Sequence, residues 1–293
     1  MTNEKVIYSP AECVAAFCEL MNERAKRIGM KNTVFRDPVG INNDLTARDM
    51  VYCISEAYKY SALDGIWNKA EWEVDVKGKN PRKEKVISTV VASDVSHIFT
   101  DKYKIIGGKT GTLSRCKAYN LTAITESPDG ERLAFTVYYA DEPNTAEKHR
   151  FLAAKEAVDA AILAHKGEDN SDCEVCAKYV AVAKISDDGV EFLYEKDADT
   201  VCQGASTSKI MTAMLALDYI GNLDEKLEII AEDNEALASY TGLGNFKQSV
   251  FFDKDVITLR DALYAALLPS NNLCPMLIAR IVGEKILRER EKA

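Results

Sequence analysis

The chain of 293 residues has no long apolar segment, few histidines and no excess of basic residues. No apolar run reaches the roughly 20 residues that a membrane-spanning helix needs. Acidic residues outnumber lysine and arginine by 46 to 37, and the net charge of -9 argues against a protein that binds nucleic acid. The first ten residues also lack the apolar stretch of a secretory signal, so the sequence leaves the compartment open.

Histidine and paired cysteines are too scarce for several common kinds of site. His97, His149 and His165 are the only candidates for the base of a Ser-His-Asp hydrolase. Cys173 and Cys176 form a C-x-x-C, but no second ligand pair has the spacing of a zinc site. Most of the eight cysteines lie in apolar patterns, which predicts buried free thiols. We therefore expect neither a metal nor a cofactor.

Hydrophobic periodicity predicts helices towards both ends of the chain and a β-rich centre. Ser9 and Glu12 form a capping box before a helix that stops at Gly29. The polar stretch 166–176 is typical of a linker. Strands are predicted over 86–92, 118–125, 132–140, 177–185 and 190–196, and further helices over 145–165, 206–220 and 258–268 and from about 274 to 290.

Ser206-Thr207-Ser208-Lys209 is the first of three short motifs with chemical meaning. Residues three apart share a helix face, so Lys209 points towards Ser206, and a neutral lysine can take the serine proton. Ser114-Arg115-Cys116-Lys117 fits the same S-x-x-K pattern, but it lies between two predicted strands and has no helix to align the pair.

The second and third motifs are S-x-N at Ser270-Asn271-Asn272 and K-T-G at Lys109-Thr110-Gly111, followed by Thr112. A hydroxyl and a carboxamide between two helices can relay a proton and hold a substrate amide, although a plain turn fits the segment equally well. On a strand, a cation, a hydroxyl and a glycine that permits close approach can bind a carboxylate and dock an extended peptide.

Together the motifs resemble the S-x-x-K, S-D-N and K-T-G set of β-lactamases and penicillin-binding proteins. Residues 205–213 are similar to the active-site helix of the D-alanyl-D-alanine carboxypeptidases, and 267–272 to their S-x-N segment. Residues 20–40 and 46–50 resemble the stretch that follows it. The order differs, because K-T-G precedes S-x-x-K here. Placing 177–293 before 1–165 restores the family order, so the sequence is identified as a circularly permuted member.

The resemblance implies an α+β fold, with a five-stranded antiparallel sheet flanked by helices beside an all-helical lobe. The predicted division is 1–100 for the second part of the helical lobe in family order, 101–201 for the sheet with its flanking helix and the permutation linker 166–176, and 202–293 for the first part of that lobe. A monomer and a domain-swapped dimer both stay open.

The resemblance also implies a serine carboxypeptidase that acts on D-Ala-D-Ala-terminated peptides and is acylated by β-lactams. Ser206, Lys209 and Ser270 would be catalytic, and Asn272 would hold the substrate amide. For the terminal carboxylate, the residues implied are Lys109 and Thr110, or Thr112, with Gly111 between them. No equivalent of the deacylating glutamate of class A β-lactamases is apparent.

Two alternatives remain open on the same scaffold. One is a β-lactamase or esterase, which would differ in the rate of deacylation. The other is a non-catalytic penicillin sensor or a permuted scaffold without turnover. The resembling family works outside the plasma membrane, whereas the sequence itself shows no export signal.

Overall fold

A computed structural model describes residues 8–92, 103–140, 146–241 and 250–292. The helices are α1 Pro10–Arg27, α2 Ala47–Ala57, α3 Ser61–Trp67, α4 Ala146–His165, α5 Lys209–Tyr219, α6 Ala231–Thr241, α7 Leu259–Leu267 and α8 Leu273–Arg290. The strands are β1 Glu71–Gly78, β2 Arg82–Ile87, β3 Lys104–Leu113, β4 Ala118–Glu126, β5 Arg132–Ala140, β6 Ala177–Ser186, β7 Gly189–Lys196, β8 Lys226–Glu228 and β9 Asp255–Thr258.

The larger sheet has the strand order β3-β4-β5-β6-β7, and every neighbouring pair is antiparallel. Its middle joins two distant parts of the chain, because β5 pairs with β6 from Leu133 opposite Lys184 to Ala140 opposite Ala177. Strand β3 lies at one edge of the sheet. The α+β class with a five-stranded antiparallel sheet is therefore confirmed.

Helices cover the sheet on both faces, and each face has its own apolar core. One cluster packs α4 against the sheet through Phe151, Ala154 and Val158, opposite Leu121 and Phe135. The other cluster fills the space between the opposite face and the remaining helices. Successive residues of a strand point to opposite faces, so a sheet covered twice has strands that are buried almost throughout, as β4 and β5 are.

A second, four-stranded sheet has the order β2-β1-β9-β8. The sequence predicts a strand over 86–92, but the observed strand starts at Arg82 and ends at Ile87. Ser88 ends it, since its Oγ accepts hydrogen bonds from the N–H groups of Val90 and Val91 and so turns the chain. The exposed face of β1 and β2 carries lysine–glutamate pairs instead of apolar residues. Because of these charged residues, the hydrophobic pattern of the sequence did not predict most of this hairpin.

The first and last described helices pack along each other. The Ser9–Glu12 capping box is confirmed at the start of α1. Gly283 of α8 lies so close to α1 that a Cβ there would approach the carbonyl oxygen of Cys13 to 1.9 Å. Arg290 forms an ion pair with Glu19 at 2.8 Å. The two ends of the described chain therefore meet on one side of the molecule.

The cysteines are free thiols, and most of them are buried, as predicted. The part of the chain that the structure describes holds no cluster of acidic, cysteine and histidine side chains able to bind a metal ion. Among the described helices, none combines the length and the hydropathy required to cross a bilayer. His97 lies outside the described residues.

Candidate active site

Ser206 lies in a short 3₁₀ turn, Ala205–Ser208, that leads directly into α5. Ala205 has φ +54°, a left-handed conformation that a residue with a Cβ adopts only when its surroundings impose it. Two glycines press on this turn. A Cβ at Gly40 would lie 1.9 Å from the Ala205 oxygen, and one at Gly111 would lie 2.3 Å from the Gly204 oxygen. Glycine is therefore required on both sides of this turn, Ala205–Ser208, which is called the nucleophile turn here because Ser206 is the predicted nucleophile.

The loop 37–43, called the clamp loop here, holds one of these glycines against the turn. The buried carboxylate of Asp37 accepts hydrogen bonds from the backbone N–H groups of residues 39–42. Asn43 Nδ2 donates to Ser208 Oγ at 3.0 Å. Thr212 Oγ1, one turn into α5, donates to the Pro38 oxygen at 2.8 Å. The clamp loop thus ties the nucleophile turn to the rest of the fold.

Lys209 lies at the centre of the polar groups in the site. Its Nζ is 3.2 Å from Ser206 Oγ, 3.0 Å from Ser270 Oγ, 2.8 Å from the Ser270 carbonyl oxygen and 2.6 Å from Asn272 Oδ1. The lysine is 1% exposed, and Ser206 is half-buried. Two of the three motifs, separated by some 60 residues of sequence, therefore meet at one amine.

The two buried lysines of the site both have lowered pKa values. Burial is the main reason that the pKa of Lys209 lies well below its ordinary value, and the charge of Lys109 lowers it further. Burial, followed by the nearby charge of Arg150, lowers the pKa of Lys109 to about 7. Neither amine lies at ion-pair distance from a described carboxylate, so no close counter-charge offsets the burial that lowers the pKa of each lysine.

The K-T-G residues lie on the edge strand β3, beside the nucleophile turn. Lys109 is fully buried, and its Nζ donates to the Thr110 oxygen at 3.1 Å. Thr110 Oγ1 is 2.8 Å from Thr89 Oγ1, and Gly111 packs against the turn as described. Thr110 and Thr112 both line the cleft, as do Ser206, Ser270 and Asn272.

Arg150 of α4 is a cleft residue that the motif analysis did not identify. Its Nη2 donates to Thr112 Oγ1 at 3.0 Å, and its Nη1 donates to the carbonyl oxygens of Gly111 and Asn120. The residue is 4% exposed and lines the cleft. The sequence holds only a weak signal for it, an arginine in the first turns of a predicted helix.

The cleft itself has a volume of about 640 Å³. Its described lining contains two arginines, Arg115 and Arg150, and no aspartate or glutamate. This contrasts with the net charge of -9 for the whole chain. The cleft therefore favours an anionic ligand.

The second S-x-x-K match has no comparable geometry. Ser114 begins a 3₁₀ turn, Ser114–Cys116, and Lys117 follows it with φ +51°. Both side chains are exposed, and the contact that joins the two residues is the backbone hydrogen bond from Lys117 N to the Ser114 oxygen. Lys117 is exposed, so this pair lacks the burial that surrounds Lys209.

A family comparison agrees with the motifs. The sequence model of the D-alanyl-D-alanine carboxypeptidase family matches residues 11–141 and 170–285, which is most of the chain. The chain belongs to this family. K-T-G falls in the first matched segment, and S-x-x-K and S-x-N fall in the second. The predicted resemblance is thereby confirmed, whereas the circular permutation stays a prediction. Comparisons with curated proteins and with solved structures found no significant match.

Family membership makes the chain a serine peptidase whose substrates end in D-Ala-D-Ala and whose family binds β-lactams. Arg150 lies between the two matched segments, so its place in the cleft rests on the structure alone. The roles of the individual site residues are not given by the family match.

Proposed function

We propose that the protein hydrolyses D-Ala-D-Ala peptides through an acyl-serine intermediate on Ser206. The observation that carries the proposal is the 3.2 Å contact between Ser206 Oγ and Lys209 Nζ, combined with the lowered pKa of Lys209. A neutral amine at this distance can take the hydroxyl proton as the oxygen attacks a carbonyl carbon. Its hydrogen bonds to the Ser270 carbonyl and to Asn272 fix its position.

The leaving group needs a proton, and Ser270 is placed to supply it. Ser270 Oγ lies 3.0 Å from Lys209 Nζ, so the proton taken from Ser206 can pass through Ser270 to the departing D-alanine nitrogen. The backbone N–H groups of Ser206 and Thr112 would stabilise the developing oxyanion. Asn272, whose Oδ1 accepts from Lys209, has its NH₂ group left to bind the substrate amide. Water then hydrolyses the acyl-enzyme.

The terminal carboxylate of the substrate would bind beside β3. Thr110 and Thr112 line the cleft there, and Arg150 reaches the same side through Thr112. Lys109 is buried behind these residues and adds positive potential when protonated. Gly111 allows the strand to approach the nucleophile turn, which brings the carboxylate site close to Ser206.

Labelling with a fluorescent penicillin tests the nucleophile. Penicillin should acylate the native protein, and Ser206→Ala should abolish the label because it removes the proposed nucleophile, the hydroxyl 3.2 Å from Lys209 Nζ. Ser114→Ala, in the second S-x-x-K match, should label like the native protein. Peptide mapping identifies the modified residue, and a label on the peptide that contains Ser114 would overturn the assignment.

The rate of deacylation separates the carboxypeptidase from the two alternatives. We expect a long-lived penicillin adduct in intact-protein mass spectra, since no glutamate of the class A type is apparent to activate water, together with steady-state release of D-alanine from peptides. Rapid multiple-turnover hydrolysis of penicillin would favour a β-lactamase. A stable adduct without D-alanine release would favour a sensor.

A further inference from the structure

Arg115 belongs to the wall of the cleft. It lies in the 3₁₀ turn Ser114–Cys116 that follows β3, and its side chain is exposed and lines the cleft. Within the described ranges, no carboxylate lies at ion-pair distance from it. Arg150, the other arginine of the wall, is by contrast buried and bonded to Thr112 and two carbonyl oxygens.

The proposed reaction fixes the direction in which a substrate runs past Arg115. The terminal carboxylate lies beside Thr110, and the scissile carbonyl lies at the N–H of Thr112. The acyl-donor part of an extended peptide on β3 must then continue in the direction of Leu113 and the following turn. Arg115 is three residues beyond Thr112, so their Cα atoms are at most roughly 10 Å apart, and the 3₁₀ turn at Ser114–Cys116 shortens that distance.

An arginine side chain about 6 to 7 Å long spans much of that distance. The Arg115 side chain therefore reaches the side chain of the substrate residue that precedes the acyl-forming D-alanine. That substrate residue lies one position along the strand from the scissile carbonyl. A guanidinium at this place matches a carboxylate through two parallel hydrogen bonds. The described cleft wall offers no acidic group that would compete for it.

We propose that Arg115 forms a subsite for a carboxylate on the residue before the acyl-forming D-alanine. The substrate class is thus an acidic peptide with two anionic groups, the terminal carboxylate and one on the acyl-donor side. This inference rests on the proposed carboxypeptidase function, because that function sets the direction of the peptide.

The test compares acetyl-L-Glu-D-Ala-D-Ala with acetyl-L-Gln-D-Ala-D-Ala, which differ by one charge at nearly constant shape. For the native protein, kcat/KM for release of D-alanine should be about five- to tenfold higher with the glutamate peptide, mainly through KM, since a partly exposed ion pair contributes modestly. High salt should reduce the ratio. In Arg115→Gln the ratio should fall to about one, with most of the loss in kcat/KM on the glutamate peptide, because the charge that distinguishes the two peptides is removed.

Lys117→Gln is the matched control, since Lys117 is exposed, belongs to the same turn and does not line the cleft. It should keep the native ratio. Equal kcat/KM values for the two peptides in the native protein would overturn the subsite and leave the carboxypeptidase proposal standing. A native ratio that Arg115→Gln preserves would also overturn it. No release from either peptide would refute the carboxypeptidase proposal, and the subsite with it.

Discussion

At the scale of the residue, the burial of two neighbouring lysines lowers the stability of the folded protein. Lys209 and Lys109 are 1% and 0% exposed, and burial is the largest cause of the lowered pKa of each. An unpaired buried cation lowers the stability of the folded state. The same burial favours the neutral amine that the proposed reaction needs. A feature that lowers the stability of the fold therefore supports the proposed chemistry.

Replacement of Lys109 by methionine should therefore stabilise the protein. The folded pKa of about 7 lies below the unfolded value, so the unfolded chain binds more protons between about pH 7 and 10.5, and native stability rises with pH across that window. Lys109→Met removes this dependence. We expect roughly 4 kcal/mol of added stability at pH 7 and roughly 1 kcal/mol at pH 9.5, with weakened turnover of D-Ala-D-Ala peptides.

Denaturant unfolding at the two pH values measures the effect. Lys226→Met is the control, since Lys226 is an exposed residue of β8, whereas Lys109 is buried. It should leave the stability and its pH dependence as they are in the native protein. A gain for Lys109→Met that is the same at pH 7 and at pH 9.5 would show that the lysine is not held neutral.

The sequence identified the residues that carry recognisable chemistry and missed those that position them. Ser206, Lys209, Ser270 and Asn272 meet in space as their motif types suggest. Arg150 belongs to no motif, and only the packing of α4 on the sheet brings it to β3. Such a residue is defined by tertiary contacts, which no local pattern encodes.

At the scale of the element, the clamp loop holds the turn that carries Ser206, the proposed nucleophile. Gly40 has φ +103° and leaves no room for a Cβ, which would meet the carbonyl of Ala205 at 1.9 Å. Gly40→Ala must shift the turn that carries Ser206. A displacement of about 1 Å at a reacting atom can lower a rate by about a hundredfold, so we expect penicillin acylation to slow by about that factor.

Gly29→Ala separates this effect from simple backbone strain. Gly29 has a similar φ of +90°, but a Cβ there meets nothing within 4 Å. It should lower the unfolding free energy by about 1 kcal/mol through its conformation alone and leave the acylation rate unchanged. Thermal melts and labelling rates report the two effects separately. If both variants acylate at the native rate, the clamp loop does not set the nucleophile geometry.

Long, patterned elements were predictable from the sequence, and short ones were not. The central strands β4 and β5 and the helix α1 carry clear periodicity and turn or cap signals. The strands β8 and β9 have three and four residues, too few for a periodic pattern. They exist because they pair with each other and because β9 also pairs with β1, a contact between distant parts of the chain.

At the scale of the whole molecule, the most consequential prediction is that the chain is circularly permuted. Strands β5 and β6 pair although the linker 166–176 and α4 separate them, and α1 packs along α8 at the two ends of the described chain. Both observations suit a fold whose original ends were joined near 166–176 and whose present ends opened elsewhere. Circular permutation is tolerated where termini lie close together at the surface.

A gene that starts near Cys176 and joins Ala293 to Met1 through a short flexible linker tests this prediction. The product should fold with the native circular-dichroism spectrum and react with penicillin at a similar rate, because the contacts of the site stay the same. A soluble but unreactive product, or one that does not fold, would contradict the prediction.

Size-exclusion chromatography of the original and re-permuted chains addresses the domain-swapped alternative. A linker of about a dozen residues can close within one chain or exchange between two chains. Activity confined to a dimer of the original chain would favour exchange, and an active monomer would favour closure.

The meeting of the S-x-x-K and S-x-N motifs at Lys209 also has a consequence for the timing of protein synthesis. Ribosomes make K-T-G first, the nucleophile nearly a hundred residues later, and Ser270 and Asn272 after that. The amine of Lys209 gains its hydrogen-bond partners only when the last of these segments has emerged and folded. With Ser206 as the proposed nucleophile, we therefore expect a nascent chain halted before residue 270 not to react with penicillin, and reactivity to arise near the end of translation.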